Sequence, residues 1–178
     1  MEKWIGGILP RLIFGKRCRQ TGLHTLSLLF LAAGATAGDQ VTKWIILTRV
    51  MDPPRVIEVT SFFNLMLTFN TGVSFGMFQD FFASRPGTLA LLSFAIASLL
   101  MIWALRSCLP GERRGLALVA GGALGNIIDR WRQGAVTDFL DFHWGGYHWP
   151  AFNVADMAIT SGATLIIGDS FLNTREKS

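Results

Sequence analysis

Four carboxylates and two amides stand where an apolar chain should not carry them. In GNIIDRWRQGAVTDFL, from Gly125 to Leu140, Asn126, Asp129 and Asp138 lie at and just beyond the end of an apolar, helix-like run. In FNVADMAIT, Asn153 and Asp156 open the last apolar run, and Asp39 and Lys43 interrupt the first. Asn126 and Asp129 are spaced i, i+3, as are Asn153 and Asp156, which puts each pair on one face of a helix. Asp39 and Lys43 are spaced i, i+4, within reach of an ion pair. Asp138 and Asp156 differ from the rest. Neither has a basic partner in its own helix turn, and both reach the same outer rim. Two unpaired carboxylates sharing a partly dry site cannot both ionise cheaply, so one keeps a proton while the other stays charged. That combination activates water for peptide hydrolysis.

Each of these residues also has a plainer reading. Asp39–Lys43 can be a structural ion pair or a substrate contact. Arg130 can neutralise a nearby carboxylate, and Asp129–Arg130 reads as a brace. Asp169, near the inner end of the last run, reads as interfacial or bonded to its own helix. His143 and His148, near Asp141, read as interfacial loop histidines, and no metal-ligand set is predicted.

The elements that must position these groups are membrane helices. Of the 178 residues, 51% are hydrophobic and 16% charged, too apolar for an ordinary soluble domain of this size. A span needs about 20 residues at 1.5 Å each. The runs 26–47, 88–105 and 151–172 meet that length, and the run 116–128 meets it if its helix continues to about Arg132. Four spans follow. Along them, Asp39 lies roughly 24 Å up the first helix from Leu23, Asn126 and Asp129 about 15 and 20 Å above Leu116, and Asn153 and Asp156 within about 8 Å of the outer end of the fourth. The polar groups therefore gather in the outer third of the bilayer. A conduction path would scatter them through its depth.

Charge sets the orientation. Lys3, Arg11, Lys16, Arg17 and Arg19 precede the first span, Arg106, Arg113 and Arg114 join the second to the third, and Arg175 and Lys177 follow the fourth. Fewer basic residues, over longer stretches, lie on the other side. By the positive-inside rule both termini are cytoplasmic. The net charge of +4 then reflects topology and contact with anionic lipid, and no nucleic-acid partner is indicated. Cys18 and Cys108 both fall on the cytoplasmic side, where a structural disulfide is not expected. The basic start, apolar run and ATA at 35–37 also fit a cleavable secretory signal, but the run continues past it as WIIL.

Residues 1–22 read as a basic cytoplasmic arm, 23–172 as the membrane domain and 173–178 as a cytoplasmic tail. Between the first two spans, RVIEVTSFFNLMLTFNTGVSFGMFQ is dense in Val, Ile, Thr and Phe and is punctuated by NTG, which predicts strand, turn, strand over about residues 50–82. DFHWGGYHWP carries the aromatics of a membrane interface, and Pro150 is placed to open the fourth helix. Gly34/Gly38 and Gly121/Gly125 are small-xxx-small pairs that let helices approach closely.

DQVTK (39–43), NTGVSF (70–75), GGALGNIIDR (121–130), VTDF (136–139) and AFNVAD (151–156) resemble, in order, the motif blocks of bacterial lipoprotein signal peptidase, signal peptidase II. The resemblance spans roughly residues 23–172. It implies a membrane α-helical enzyme of four transmembrane helices with a small periplasmic β-cradle between helices 1 and 2. It further implies an aspartic endopeptidase of the bacterial inner membrane that needs no cofactor. Such an enzyme cleaves prolipoproteins just before their diacylglyceryl-modified cysteine, works among membrane lipids, and is a target for cyclic peptide antibiotics of the globomycin type. By motif, Asp138 and Asp156 are the catalytic pair. Asn70, Gly72, Asn126, Arg130 and Asn153 shape the site and hold substrate backbone, while Asp39, Lys43 and Asp129 give polar support. The block that often reads NTGAAF has Val73 and Ser74 here, a change expected to alter the grip on inhibitor or substrate. Two rivals have clear signatures. A proton-coupled transporter would spread ionisable groups across both membrane halves, and a scaffold would tolerate loss of either Asp138 or Asp156.

Overall fold

The computed structural model describes residues 22–72 and 86–175. The basic arm (all but Gly22), the second half of the expected cradle with Val73 and Ser74, Arg85, and residues 176–178 of the tail lie outside the described residues.

Four long helices dominate: α1 (Gly22–Ile45), α2 (Pro86–Ala104), α3 (Pro110–Gln133) and α4 (Val154–Arg175). α1 runs on through one π-helical turn, Ile46–Val50. α2 carries no charge, and its stretch Gly87–Ala104, with a mean hydropathy of 2.0, is the one described segment apolar and long enough by composition alone to cross a membrane. α1, α3 and α4 have 24, 24 and 22 residues, also long enough to span, but they carry the charged groups singled out above. α3 starts at Pro110, earlier than the apolar run suggests, with Glu112 in its first turn and Arg130 and Arg132 in its last. Each charge complements the adjacent end of the helix dipole. Asp169 of α4 adds to this, accepting the Glu112 backbone N–H at 3.3 Å. It thus satisfies one of the orphan donors of α3.

α3 is the central helix, packed against α1, α2 and α4. Its glycines make this possible. A methyl group at Gly121 would press on the backbone of Ala32 in α1, one at Gly122 on the carbonyl of Ala155 in α4, and one at Gly125 on the Asp39 carboxylate, each under 3.0 Å. Thr36 Oγ1 uses the close approach to donate to the Gly121 carbonyl at 2.7 Å. The Gly34/Gly38 pair, expected to pack in the same way, does not: both face open space. Equal spacing in the sequence cannot tell the face of α1 that meets α3 from the one that meets none.

A four-stranded antiparallel sheet, in the order β1 (Ile57–Thr60), β2 (Phe63–Asn70), β3 (Val136–Trp144), β4 (Tyr147–His148), sits across the helix ends. Two corrections follow. The hairpin turn falls at Ser61–Phe62, and NTG instead ends β2, where the Gly72 N–H donates to Asn70 Oδ1 at 3.0 Å, a local side-chain turn. The sheet also does not belong only to the segment between α1 and α2, since β3 and β4 come from between α3 and α4. The stretch read as interfacial loop is thus half strand. α3 stops at Gly134, whose φ of 81° closes the helix with a hydrogen bond to the Arg130 carbonyl. Glycine adopts this left-handed conformation readily, so the chain enters β3 two residues later. Ile46, Met51 and Phe139 form the small core that joins the end of α1 to the sheet.

Gly122→Ala should lower stability by about 1–3 kcal/mol through overpacking against α4, whereas Gly38→Ala should leave it unchanged or raise it by up to about 1 kcal/mol through helix propensity. Thermal unfolding in detergent checks both, and equal effects at the two sites would refute this account of helix packing.

Candidate active site

Lys43 enters the site from the last turn of α1 and is 2% exposed. Its ammonium lies 2.8 Å from Asp39 Oδ2, 2.8 Å from Asp129 Oδ2 and 3.0 Å from Asn126 Oδ1. Three acceptors meet its three N–H donors. The two carboxylates are in turn filled. Asp39 Oδ1 accepts the backbone N–H of Ala155 at 2.9 Å. Asp129 accepts from Gln40 Nε2 at 2.9 Å and from the Thr137 backbone N–H at 3.0 Å. The expected Asp39–Lys43 ion pair is present, whereas the expected Asp129–Arg130 brace is not. Asp129 faces Lys43, while Arg130 donates to the Gly72 carbonyl at 2.6 Å. Consecutive residues on a helix point about 100° apart, so the two had to serve different neighbours.

Asn153 and Asp156 do not share a helical face. Asn153 precedes α4 and caps it: its Oδ1 accepts the Asp156 N–H at 3.0 Å, while Asp156 Oδ2 accepts the Asn153 N–H at 3.2 Å. This is a reciprocal capping box, and it explains why α4 starts at Val154, four residues beyond Pro150. The same Asn153 donates through Nδ2 to Asp138 Oδ1 at 2.6 Å. Asn126 Nδ2 donates to Asp156 Oδ1 at 3.0 Å. Two amides therefore connect the two carboxylates to each other and to Lys43, since Asn153 Nδ2 also lies 3.2 Å from Asn126 Oδ1.

Among the described residues, no basic side chain lies within ion-pair distance of Asp138 or Asp156. Both line one cavity of about 620 Å³. Asn70, Asn126 and Arg130 share its polar end, and Leu89 and Ser93 of α2, Ala123 of α3, and Met157, Ile159 and Thr160 of α4 extend it between the helices. Burial and then the nearby Asp156 carboxylate push the Asp138 carboxyl up to about 7, against hydrogen bonds from Asn153 and Asn70 and the charge of Lys43. A carboxyl that titrates near neutrality can hold or release a proton under working conditions.

The family profile of signal peptidase (SPase) II matches residues 20–172. The chain belongs to the signal peptidase II family. Curated lipoprotein signal peptidases resemble it along most of their length. The protein of Aeromonas hydrophila subsp. hydrophila is 39% identical over 151 residues, covering 84% of this chain and 90% of its own. That of Janthinobacterium sp. (strain Marseille) is 44% identical over 161 residues, covering 86% and 93%. A solved structure described as a bacterial membrane enzyme superposes with a TM-score of 0.73 at 30% identity, covering 85% of this chain and 92% of that one. A second, also described as a bacterial membrane enzyme, gives 0.67 at 31% identity. The family is one of peptidases, and signal peptidase II is a bacterial membrane enzyme.

All ten residues singled out from the sequence of this signal peptidase II chain converge on one region: Asp39, Lys43, Asn70, Gly72, Asn126, Asp129, Arg130, Asp138, Asn153 and Asp156. Sequence reasoning missed Gln40 and Thr137, which complete the coordination of Asp129, and Gln133, whose Nε2 holds Thr137 Oγ1 at 2.7 Å. It also missed Asn64 as the partner of buried Asp141 (3.0 Å). Gln40 and Thr137 each adjoin a residue already singled out, and that was the only signal available.

Lys43→Met should destabilise the protein by about 3–5 kcal/mol, because it strands two buried carboxylates without a counter-charge. Arg130→Met removes hydrogen bonds but no ion pair and should cost less. Unfolding in detergent compares the two, and an equal or smaller loss for Lys43→Met would show that the buried ammonium does not hold the site together.

Proposed function

We propose that Asp138 and Asp156 are the catalytic pair of an intramembrane aspartic endopeptidase that removes signal peptides from prolipoproteins. The observation that carries this reading is the pair itself: two carboxylates with no basic partner among the described residues, facing one cavity and bridged by Asn153 and Asn126. In the proposed cycle, one carboxylate deprotonates a water while the other, protonated, polarises the scissile carbonyl. The tetrahedral intermediate collapses as the second proton passes to the leaving amine. Asn70, Gly72 and Arg130, beside the pair, hold the substrate backbone. Asp39, Lys43 and Asp129 are support and stay out of the chemistry, because their charges already cancel against one another in part and their hydrogen bonds are filled.

The substrate is a prolipoprotein, in keeping with the name lipoprotein signal peptidase carried by the curated relatives, and in this reading it is cut just before its diacylglyceryl-modified cysteine. A lipid-anchored cysteine fixes the scissile bond near the membrane surface, so an enzyme for it must carry its acid–base pair at that depth and admit the chain sideways. A cavity with a polar end at the carboxylates and apolar walls between α2 and α4 suits that demand. All four helices span the bacterial inner membrane, with both termini inside, and the sheet lies on the periplasmic surface. Cyclic peptide antibiotics of the globomycin type would compete for the same cavity.

Orientation has a direct check. Cys108 is exposed in the α2–α3 connection, so in a Cys18→Ser chain a membrane-impermeant thiol reagent should label it only after cells are permeabilised. Labelling in intact cells would invert the topology.

Asp138→Asn and Asp156→Asn keep size but cannot ionise. Each should lower cleavage of a diacylglyceryl-modified prolipoprotein by about 10²–10⁴-fold or more while leaving the fold intact. The pH–rate profile should be bell-shaped, its two limbs belonging to the coupled pair. Stability adds a readout free of activity. A carboxyl whose pKa is raised on folding favours the protonated state, so its contribution is fully present below the unfolded value near 4 and is lost as pH rises through the folded value near 7. Asp138→Asn should therefore gain stability relative to the wild type as pH rises from about 4 to 8. Near wild-type cleavage by either variant would end the aspartic assignment, and a pH-independent stability difference for Asp138→Asn would end the account of its titration.

A further inference from the structure

Another buried carboxylate lies outside this machinery. Asp141, three residues along β3 from Asp138, is 1% exposed. Asn64 Nδ2, from its register partner on β2, donates to Oδ2 at 3.0 Å. His148 Nδ1, from β4, lies 2.9 Å from both carboxylate oxygens, and the His148 ring stacks on that of His143 with centroids 5.1 Å apart. Among the described residues, His148 is the only basic side chain within ion-pair distance of Asp141. A buried carboxylate without such a donor is costly.

The pair stands where the backbone needs help. β4 has only two residues, and a ladder that short is marginal by itself. Yet the chain leaving β4 must be held closely, because Trp149–Phe152 runs back along β3 and leads directly into Asn153 and Asp156. Trp149 N–H donates to the Phe142 carbonyl at 2.7 Å, the Phe139 and Leu140 N–H groups donate to Phe152, and Phe152 N–H donates to Leu140. The same segment lines the cavity. One arm of this hairpin thus carries Asp138 and the other feeds Asn153 and Asp156.

We propose that Asp141 and His148 are positioning residues: a side-chain latch between β3 and β4 that sets the spacing of the two carboxylates. The consequence for turnover rests on the aspartic reading above, but the latch itself does not. His148 is the residue to change, since its side chain is half exposed and its loss leaves the core of the sheet in place. Asparagine puts an N–H donor where Nδ1 stands, so His148→Asn keeps the hydrogen bond of the latch, whereas His148→Ala removes it.

Two measurements on the full chain in detergent test the proposal. In hydrogen exchange, His148→Ala should speed exchange of the Leu140 and Phe152 amides at least about tenfold relative to β1–β2 amides, and His148→Asn should restore protection. With a diacylglyceryl-modified prolipopeptide, His148→Ala should lower kcat by about ten- to a hundredfold, the scale expected for a misplaced catalytic group. KM should change less than about twofold, and His148→Asn should recover most of kcat. Unchanged exchange in His148→Ala overturns the latch whatever the activity. Faster exchange with unchanged kcat overturns its positioning role. A drop shared equally by the Ala and Asn variants assigns the effect to the imidazole itself and also overturns it. Should Asp138→Asn remain active in the same assay, the aspartic reading fails, and the exchange result still decides the latch.

Discussion

One buried ammonium ties together the elements that carry the site. Lys43 belongs to α1, and its three partners lead outward by three routes. Through Asp39 it reaches the first turn of α4, where Ala155 donates to the second oxygen of that carboxylate. Through Asp129 it reaches the start of β3, where Thr137 donates its N–H. Through Asn126 it reaches Asp156 and Asn153. Burying a cation carries a large desolvation cost, which is offset only when every donor finds a good acceptor. That demand fixes where α1, α3, α4 and β3 meet, because no single partner can move without breaking the set.

This closeness depends on side chains that are absent. Gly122 and Gly125 of α3 sit against the Ala155 carbonyl and the Asp39 carboxylate. A methyl group at either would push α4 or the Asp39–Lys43 pair away by a distance comparable to a hydrogen bond's tolerance. Small residues and polar links can supply helix association where hydrophobic drive is small, as it would be for the membrane helices proposed. Here the two devices occupy the same helical turns: glycine lets the backbones approach, and the approach brings the polar groups within reach.

Much of the site could be read from the sequence, and the fold only in part. Charged and amide groups in apolar runs stand out because their cost is high wherever they are buried without partners, so Asp39, Lys43, Asn126, Asp129, Asp138, Asn153 and Asp156 were visible without knowing their partners. Partners were legible only when local. The i, i+4 pair Asp39–Lys43 was found, while Lys43–Asp129, separated by 86 positions in the chain, was not, and Arg130 was wrongly given to Asp129. The spacing of Asn153 and Asp156 was seen but read with the wrong geometry, since i, i+3 also describes a capping box. β3 was missed because VTDFLDFHW lacks clean polar–apolar alternation: Val136, Thr137, Asp138 and Phe139 are all buried, as happens when a strand is covered on both faces.

The location of the site follows from how the charges are divided. Asp39 and Asp129 spend their charge on Lys43 and on backbone donors, which fits the supporting role proposed for them. Among the described residues, Asp138 and Asp156 receive hydrogen bonds from neutral amides alone. An amide stabilises a carboxylate without supplying a proton or a counter-ion, so it orients the group and leaves it free to titrate. Lys43 still acts on the pair from a distance, its field holding the Asp138 carboxyl lower than burial and Asp156 would otherwise set it. A direct ion pair would hold such a carboxylate ionised and would not suit the acid role proposed for one of the two. Removing the cation would shift it further toward the protonated form. Asn126 and Asn153, placed between the ammonium and the two carboxylates, fit the intermediate condition that the proposed acid–base pair needs.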